Sequence, residues 1–217
     1  MKVKSGFLMY LFIFLGLIVG ACLIMVAIMM FSPGTSIFGL QYYSENTVTT
    51  YSKTDGYFDE FENYDYITIN SLSKDKDGNT LGYGYYNVEI RPGYRDAAVS
   101  NVVVSNQITG LVKSSDNLEW SINFNAYQID GKNYLTISIT QVNTFLASKN
   151  CKIALNIPAE QNMSNTIFTI NTKNGDIDMG GTLGKDNELS PLNISAFKVA
   201  TETGNIVIKE KTTAPNY

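Results

Sequence analysis

FTINTKNGDIDM (Phe168–Met179) is followed 29 residues later, without a gap, by FKVATETGNIVI (Phe197–Ile208). Phe168 aligns with Phe197, Ile170 with Val199, Thr172 with Thr201, Gly175 with Gly204 and Ile177 with Ile206. Self-similarity at such a period marks stacked repeat units. Each copy reads as a strand, a glycine-centred corner and a second short strand. Large and β-branched residues point inward, Gly175 and Gly204 let the chain turn, and polar residues meet water. One unit cannot bury its apolar face alone, so successive units must stack. The pattern predicts an all-β body, a β-solenoid or β-roll of stacked hairpin rungs. A last rung without a successor is an exposed edge, open to pairing with another chain. Either the earlier hairpins complete the stack, or the array runs short at residue 217.

Working outward, the two-residue period holds through much of the chain. Tyr66-Ile67-Thr68-Ile69 alternates, and Asp75-Lys76-Asp77-Gly78-Asn79 marks a turn. Asp75, Asp77 and Asn79 mimic the first ligands of a calcium loop. That loop needs glycine sixth and glutamate twelfth, where Thr80 and Tyr86 stand, so a polar turn is expected. Strands are expected over Tyr83–Ile90 and Val99–Ser105. A hairpin follows: Trp120, Ile122, Phe124 and Ala126 alternate with polar residues, Asp130-Gly131 turns the chain, and Leu135, Ile137 and Ile139 return. Ile153, Leu155 and Ile157 alternate up to Pro158. No stretch after residue 34 sustains a helical apolar period.

The strand from Ile153 to Pro158, then TKNGDI and TETGNI at solenoid spacing, resembles the bacterial adhesin domain family. The resemblance covers residues 151–208. It implies an envelope protein with β-solenoid-like repeats, similar in style to repeats near cell-wall stress-response membrane proteins. The family is a domain of unknown function and carries no catalytic residues over to this chain.

Upstream, Phe7 to Phe31 is uncharged throughout. At 1.5 Å per residue such a helix reaches roughly 37 Å, enough to cross a ~30 Å hydrocarbon core with some tilt. Ser32, Pro33 and Gly34 end it. Lys2 and Lys4 precede it and the next basic residue is Lys53, so the N-terminus is expected inside and the β body outside the cytoplasm. The run is longer than a cleavable signal's apolar core, which favours an uncleaved signal anchor. Val19-Gly20-Ala21-Cys22 resembles a lipobox, but the apolar residues after Cys22 favour an unmodified helix cysteine. The expected organisation is a cytoplasmic tail (1–6), a transmembrane anchor (7–31), a tyrosine- and acid-rich lead-in or stalk (32–66) and an all-β adhesin-like domain (67–217).

Of the net charge of −4, Lys2 and Lys4 supply +2, leaving −6 on residues 32–217. A negative body without a basic patch argues against nucleic acid as partner. Cys22 and Cys151 are the only cysteines and lie on different sides of the anchor's end, so no disulfide is expected. That economy, in an oxidising compartment, points to a bacterial plasma membrane. The chain has no histidine, the commonest general base and metal ligand, and Cys151 has no imidazole to activate it. Asp176 and Asp178 share a strand face, but the second copy has Asn205 and Val207 there. No catalytic, cofactor or metal residue is expected. The functional expectation is a non-enzymatic, single-pass envelope protein held in the lipid bilayer, whose repeats meet a protein or glycan surface. The alternative is an accessory or sensory component of an envelope-stress membrane complex, coupled through Gly16 and Gly20, a small-xxx-small pair. Self-association is left open.

Overall fold

Ser5–Phe31 forms one helix, α1, because a run of large apolar residues with no interior proline satisfies its own backbone. It is long and apolar enough to cross a membrane. The computed structural model describes residues 5–32, 35–75, 77–92, 98–113, 119–142, 147–158, 160–180 and 195–208. Lys2 and Lys4, which carry the expected orientation, and Pro33-Gly34 lie outside them, as do residues 209–217.

After α1 a short strand β1 (Ser36–Ile37) turns into the long β2 (Leu40–Ser52). Two 3-10 turns, Lys53–Asp55 and Phe61–Asn63, lead to β3 (Tyr66–Lys74), β4 (Thr80–Tyr83), β5 (Asn87–Pro92) and β6 (Asn101–Lys113). β7 (Ser121–Ile129) and β8 (Lys132–Val142) are joined by Asp130 and Gly131, both at positive φ (51° and 74°) as a two-residue hairpin turn requires. β9 (Ala147–Ile157), β10 (Ile167–Asn171), β11 (Ile177–Met179), β12 (Ala196–Ala200) and β13 (Ile206–Ile208) complete the described strands.

They form two mixed sheets. One runs β1-β2-β6-β9-β5-β11-β13, the other β12-β10-β3-β8-β7 with β4 beside β3. Strict alternation of buried and partly exposed residues in β3, β5, β10 and β11 turns one face of each sheet inward. Phe61, Ile69, Tyr86, Ile90, Ile137, Ile153 and Phe168 fill the space between.

The register is the informative part. β12, β10, β3 and β8 are parallel, and they align Phe197, Phe168, Ile67 and Leu135 in one row and Val199, Ile170, Ile69 and Ile137 in the next. In the facing sheet β13, β11, β5 and β9 are parallel and align Ile206, Ile177, Val88 and Ile153. Four two-strand units thus lie side by side, β8 with β9, β3 with β5, β10 with β11 and β12 with β13. Beyond the first unit the pairing is antiparallel, with β7 on β8 and β6 on β9.

Two expectations need correction. The units are not hairpins: the two strands of each unit lie in opposite sheets, so each pairs with neighbouring units rather than with its own second half. Of the expected lead-in or stalk over 32–66, the part from Leu40 onward belongs to the β body. β2 pairs with β6 along its whole length, from Leu40 with Lys113 to Ser52 with Asn101, and Phe58, Phe61 and Tyr64 belong to the core. The acids beside those aromatics are used rather than solvated. Glu60 accepts from Ser100 N at 2.9 Å, and Asp65 accepts from Asn133 N at 2.9 Å and Lys132 Nζ at 2.8 Å.

Candidate functional site at the open end of the stack

The corners of the repeat obey one hydrogen-bonding rule. Thr172 Oγ1 lies 3.2 Å from Gly84 O and 3.0 Å from Tyr86 O, and donates to them. One unit on, Thr201 Oγ1 donates in the same way to Lys173 O (3.2 Å) and Gly175 O (3.0 Å). Gly204 N donates back to Thr201 Oγ1 at 3.1 Å, and Tyr86 N donates to Ser71 Oγ at 3.1 Å. Ser71 therefore stands where Thr172 and Thr201 stand in the later units, and Tyr86 where Gly175 and Gly204 stand.

The glycines are required by space rather than by backbone angle. A Cβ on Gly175 would fall 2.0 Å from Tyr86 O, and one on Gly204 would fall 2.0 Å from Gly175 O. Neither glycine has a positive φ. The Tyr86 carbonyl sits against Gly175 and the Gly175 carbonyl against Gly204, so at these two corners only a residue without a side chain fits. Polar rungs tie the outer surface: Asp176 N donates to Asn87 Oδ1 (2.8 Å), Asn205 N donates to Asp176 Oδ1 (2.7 Å), and Asn171 Nδ2 donates to Asn70 Oδ1 (2.9 Å).

All ten repeat residues noted in the sequence are brought together, and burial divides them. Phe168, Ile170, Thr172, Gly175 and Ile177 are buried; Phe197, Val199, Thr201 and Gly204 are half-buried; Ile206 is exposed. Ile177 and Met179 have no exposed surface, whereas Ile206, Val207 and Ile208 are 44%, 43% and 44% exposed. Among the described residues, nothing lies beyond β12 and β13. Sequence reasoning missed Ser71, Gly84, Tyr86 and Asn87, because residues 72–85, including β4, separate the hydroxyl from the corner that Thr172 reaches in three residues. The signal available was Ile67-x-Ile69-x-Ser71, which has the spacing of Phe168-x-Ile170-x-Thr172.

Inside, Tyr86 Oη donates to Asn106 Oδ1, and Cys151 Sγ lies 3.7 Å from Gln141 Oε1. Burial pushes both the Tyr86 phenol and the Cys151 thiol up, so both stay protonated at neutral pH. Asp75 spends its carboxylate on Asp77 N (2.9 Å), Asn79 N (2.8 Å) and Asn79 Nδ2 (3.0 Å), and its pKa falls because those bonds favour the charged form. Among the described residues, no three acidic, cysteine or histidine side chains gather as they would around a metal ion. On the other sheet Tyr66, Tyr134 and Tyr127 stack across three strands, with ring centroids 4.7 and 5.2 Å apart. An open cleft of about 370 Å³ beside Tyr127 is lined by Asp59, Asn63, Tyr64, Gln128 and Asn133.

No family model matches this chain, and neither a curated protein nor a solved structure is significantly similar to it.

Proposed function

We propose that the chain is a non-enzymatic, membrane-anchored surface protein of the bacterial envelope. Its short β-solenoid of four rungs is held outside the cytoplasm and engages a partner surface through its last rung. The observation that carries this reading is the burial contrast between Ile177 and Ile206. The last rung has the sequence and register of a covered rung, yet Ile206, Val207 and Ile208 keep over two-fifths of their surface. Exposed strand edges with apolar side chains are pairing surfaces. The tyrosine stack and its polar cleft supply a second contact area suited to protein or glycan, since tyrosine offers rigid amphipathic area. The test is attachment of proteoliposomes bearing the full chain to bacterial cells, matrix proteins and immobilised glycans. Val207→Asp, on the outer face of the last rung, is expected to reduce attachment; equal binding by wild type and bare vesicles would end the reading.

An accessory role in a membrane complex has its own support. Gly16 and Gly20 share a face of α1, and apart from the helix's own neighbouring backbone nothing lies within 4 Å of where their side chains would be. Small residues at that spacing let a second helix approach closely. Replacing both with leucine should then dissolve a detergent-stable complex while leaving the β body folded.

A further inference from the structure

We propose that the β1–β2 turn, led by Phe38, is a second membrane contact that inserts into the bilayer interface beside the end of α1. The inference rests on the reading of α1 as a membrane span. Phe38 stands at φ 54° and Gly39 at φ 74°, the two central positions of a two-residue hairpin closed by Ile37 opposite Leu40. Such turns favour asparagine and glycine, whereas a bulky side chain in the left-handed region is a strained choice. Phe38 gains no burial inside the protein to offset that strain, being 88% exposed. Its place in the fold supplies the reason.

Both strands of the hairpin contact α1, and Met29 in the last turn of α1 is buried to 5% exposure. Thr35 N donates to Ser32 O at 3.0 Å, which draws the chain directly from helix to hairpin. The turn is therefore held at the level where α1 leaves the hydrocarbon. No charged residue occurs between Lys4 and Glu45, so the uncharged stretch runs well past the helix and takes in Ile37, Phe38, Leu40, Tyr42 and Tyr43. Aromatic residues concentrate at the boundary between hydrocarbon and headgroups, and Phe31, 87% exposed at the helix end, belongs to the same belt. Lys113, exposed and paired in register with Leu40, adds a cation at headgroup level, suited to lipid phosphate. Two attachment points separated by a tight hairpin would fix the tilt of the β body on the membrane, which one helix cannot do.

The full-length Phe38→Trp chain, reconstituted in phosphatidylcholine vesicles with acyl chains brominated at shallow or deep positions, tests this. The wild-type chain, whose sole tryptophan is Trp120, supplies the background. The new tryptophan should emit at shorter wavelength than an aqueous indole and be quenched most by shallow bromines. Emission at the aqueous position, open to iodide and untouched by bromolipid in chains that float with the vesicles, overturns the inference and leaves the span intact. A chain that does not float with vesicles overturns the span and this contact together. Phe38→Asn in a chain lacking α1, free of detergent and shown to be folded by its β-sheet circular dichroism, tests internal packing at this turn without a lipid-like interface. It should raise the melting temperature, because asparagine suits φ 54°; a lower melting temperature would mean that Phe38 serves the fold and would overturn the inference.

Discussion

Ile177 and Ile206 hold the same place in two copies of one motif, in register and in parallel, yet the first has no exposed surface and the second keeps 44% of its own. The same split separates Phe168 from Phe197. Each unit is covered on one side by its predecessor, and only the arrival of another unit covers the second side. The motif specifies the shape of a rung, while its neighbours supply its burial. At the far end of the stack the problem is solved differently: Leu135 and Ile153 are buried because antiparallel β7 and β6 close over β8 and β9. A stack of near-neighbour contacts should accordingly lose stability toward β12 and β13, beyond which no described residue lies.

The sharpest way to break that comparison is to truncate equivalent rings. Phe168→Ala should cost about 4 kcal/mol, as expected for a fully buried phenylalanine. Phe197→Ala should cost less, about 2 kcal/mol, because the ring is only partly buried against the core. Denaturant midpoints of the two variants give the ratio, and equal losses would mean that the last unit is covered as tightly as the one before it. A smaller effect is expected at the corners. Gly175→Ala sets a Cβ 2.0 Å from the backbone of Tyr86 in the middle of the stack, and should cost about 3 kcal/mol. Gly204→Ala meets the Gly175 carbonyl at the same distance, but its unit can lift away, so about 1 kcal/mol is expected. Hydrogen exchange distinguishes the two outcomes: the second variant should lose protection only in β12 and β13.

Much of this fold was legible from side-chain alternation, because facing sheets impose a period of two on Ile67-Thr-Ile, Leu135-Thr-Ile-Ser-Ile and Ile153-Ala-Leu-Asn-Ile. Adjacency was not. β3 lies between β8 and β10, each over 60 residues away, and nothing in its own residues names those partners. The 29-residue repeat emerged only where the corner is short; the insertion at 72–85 hid the same corner one unit earlier. β2 went unread for another reason. Its register with β6 is held by backbone pairing over 13 residues, while its side chains alternate weakly, with Tyr43 and Tyr51 inward among serines, threonines and asparagine. The role of Gly175 illustrates a third limit. Glycine signals either turning or crowding, and only the position of the Tyr86 carbonyl decides for crowding.

The smallest predicted effect concerns charge on the outer face of the same stack. Glu89 on β5 accepts from Arg91 Nη2 at 2.8 Å and from Lys152 Nζ of β9, and in the same cross-strand row, two strands away beyond Asp178, stands the uncharged Val207. Burial alone would raise the Glu89 carboxyl, but the bonds from Arg91 and Lys152 outweigh it and hold the pKa below its ordinary 4.5. A carboxyl with a lowered folded pKa stabilises the native state fully above its unfolded value, and loses that contribution as pH falls through the folded value. Wild type should therefore exceed Glu89→Gln by about 1 kcal/mol at pH 7, a partly exposed charge-assisted pair being worth no more. The gap should narrow below pH 4.5 and close once Glu89 is protonated in both states. With no histidine in the chain, the difference should be flat between pH 6 and 8. Urea titrations of both proteins at a series of pH values measure this, and a gap that persists in acid would assign the Glu89 contribution to packing rather than to its charge.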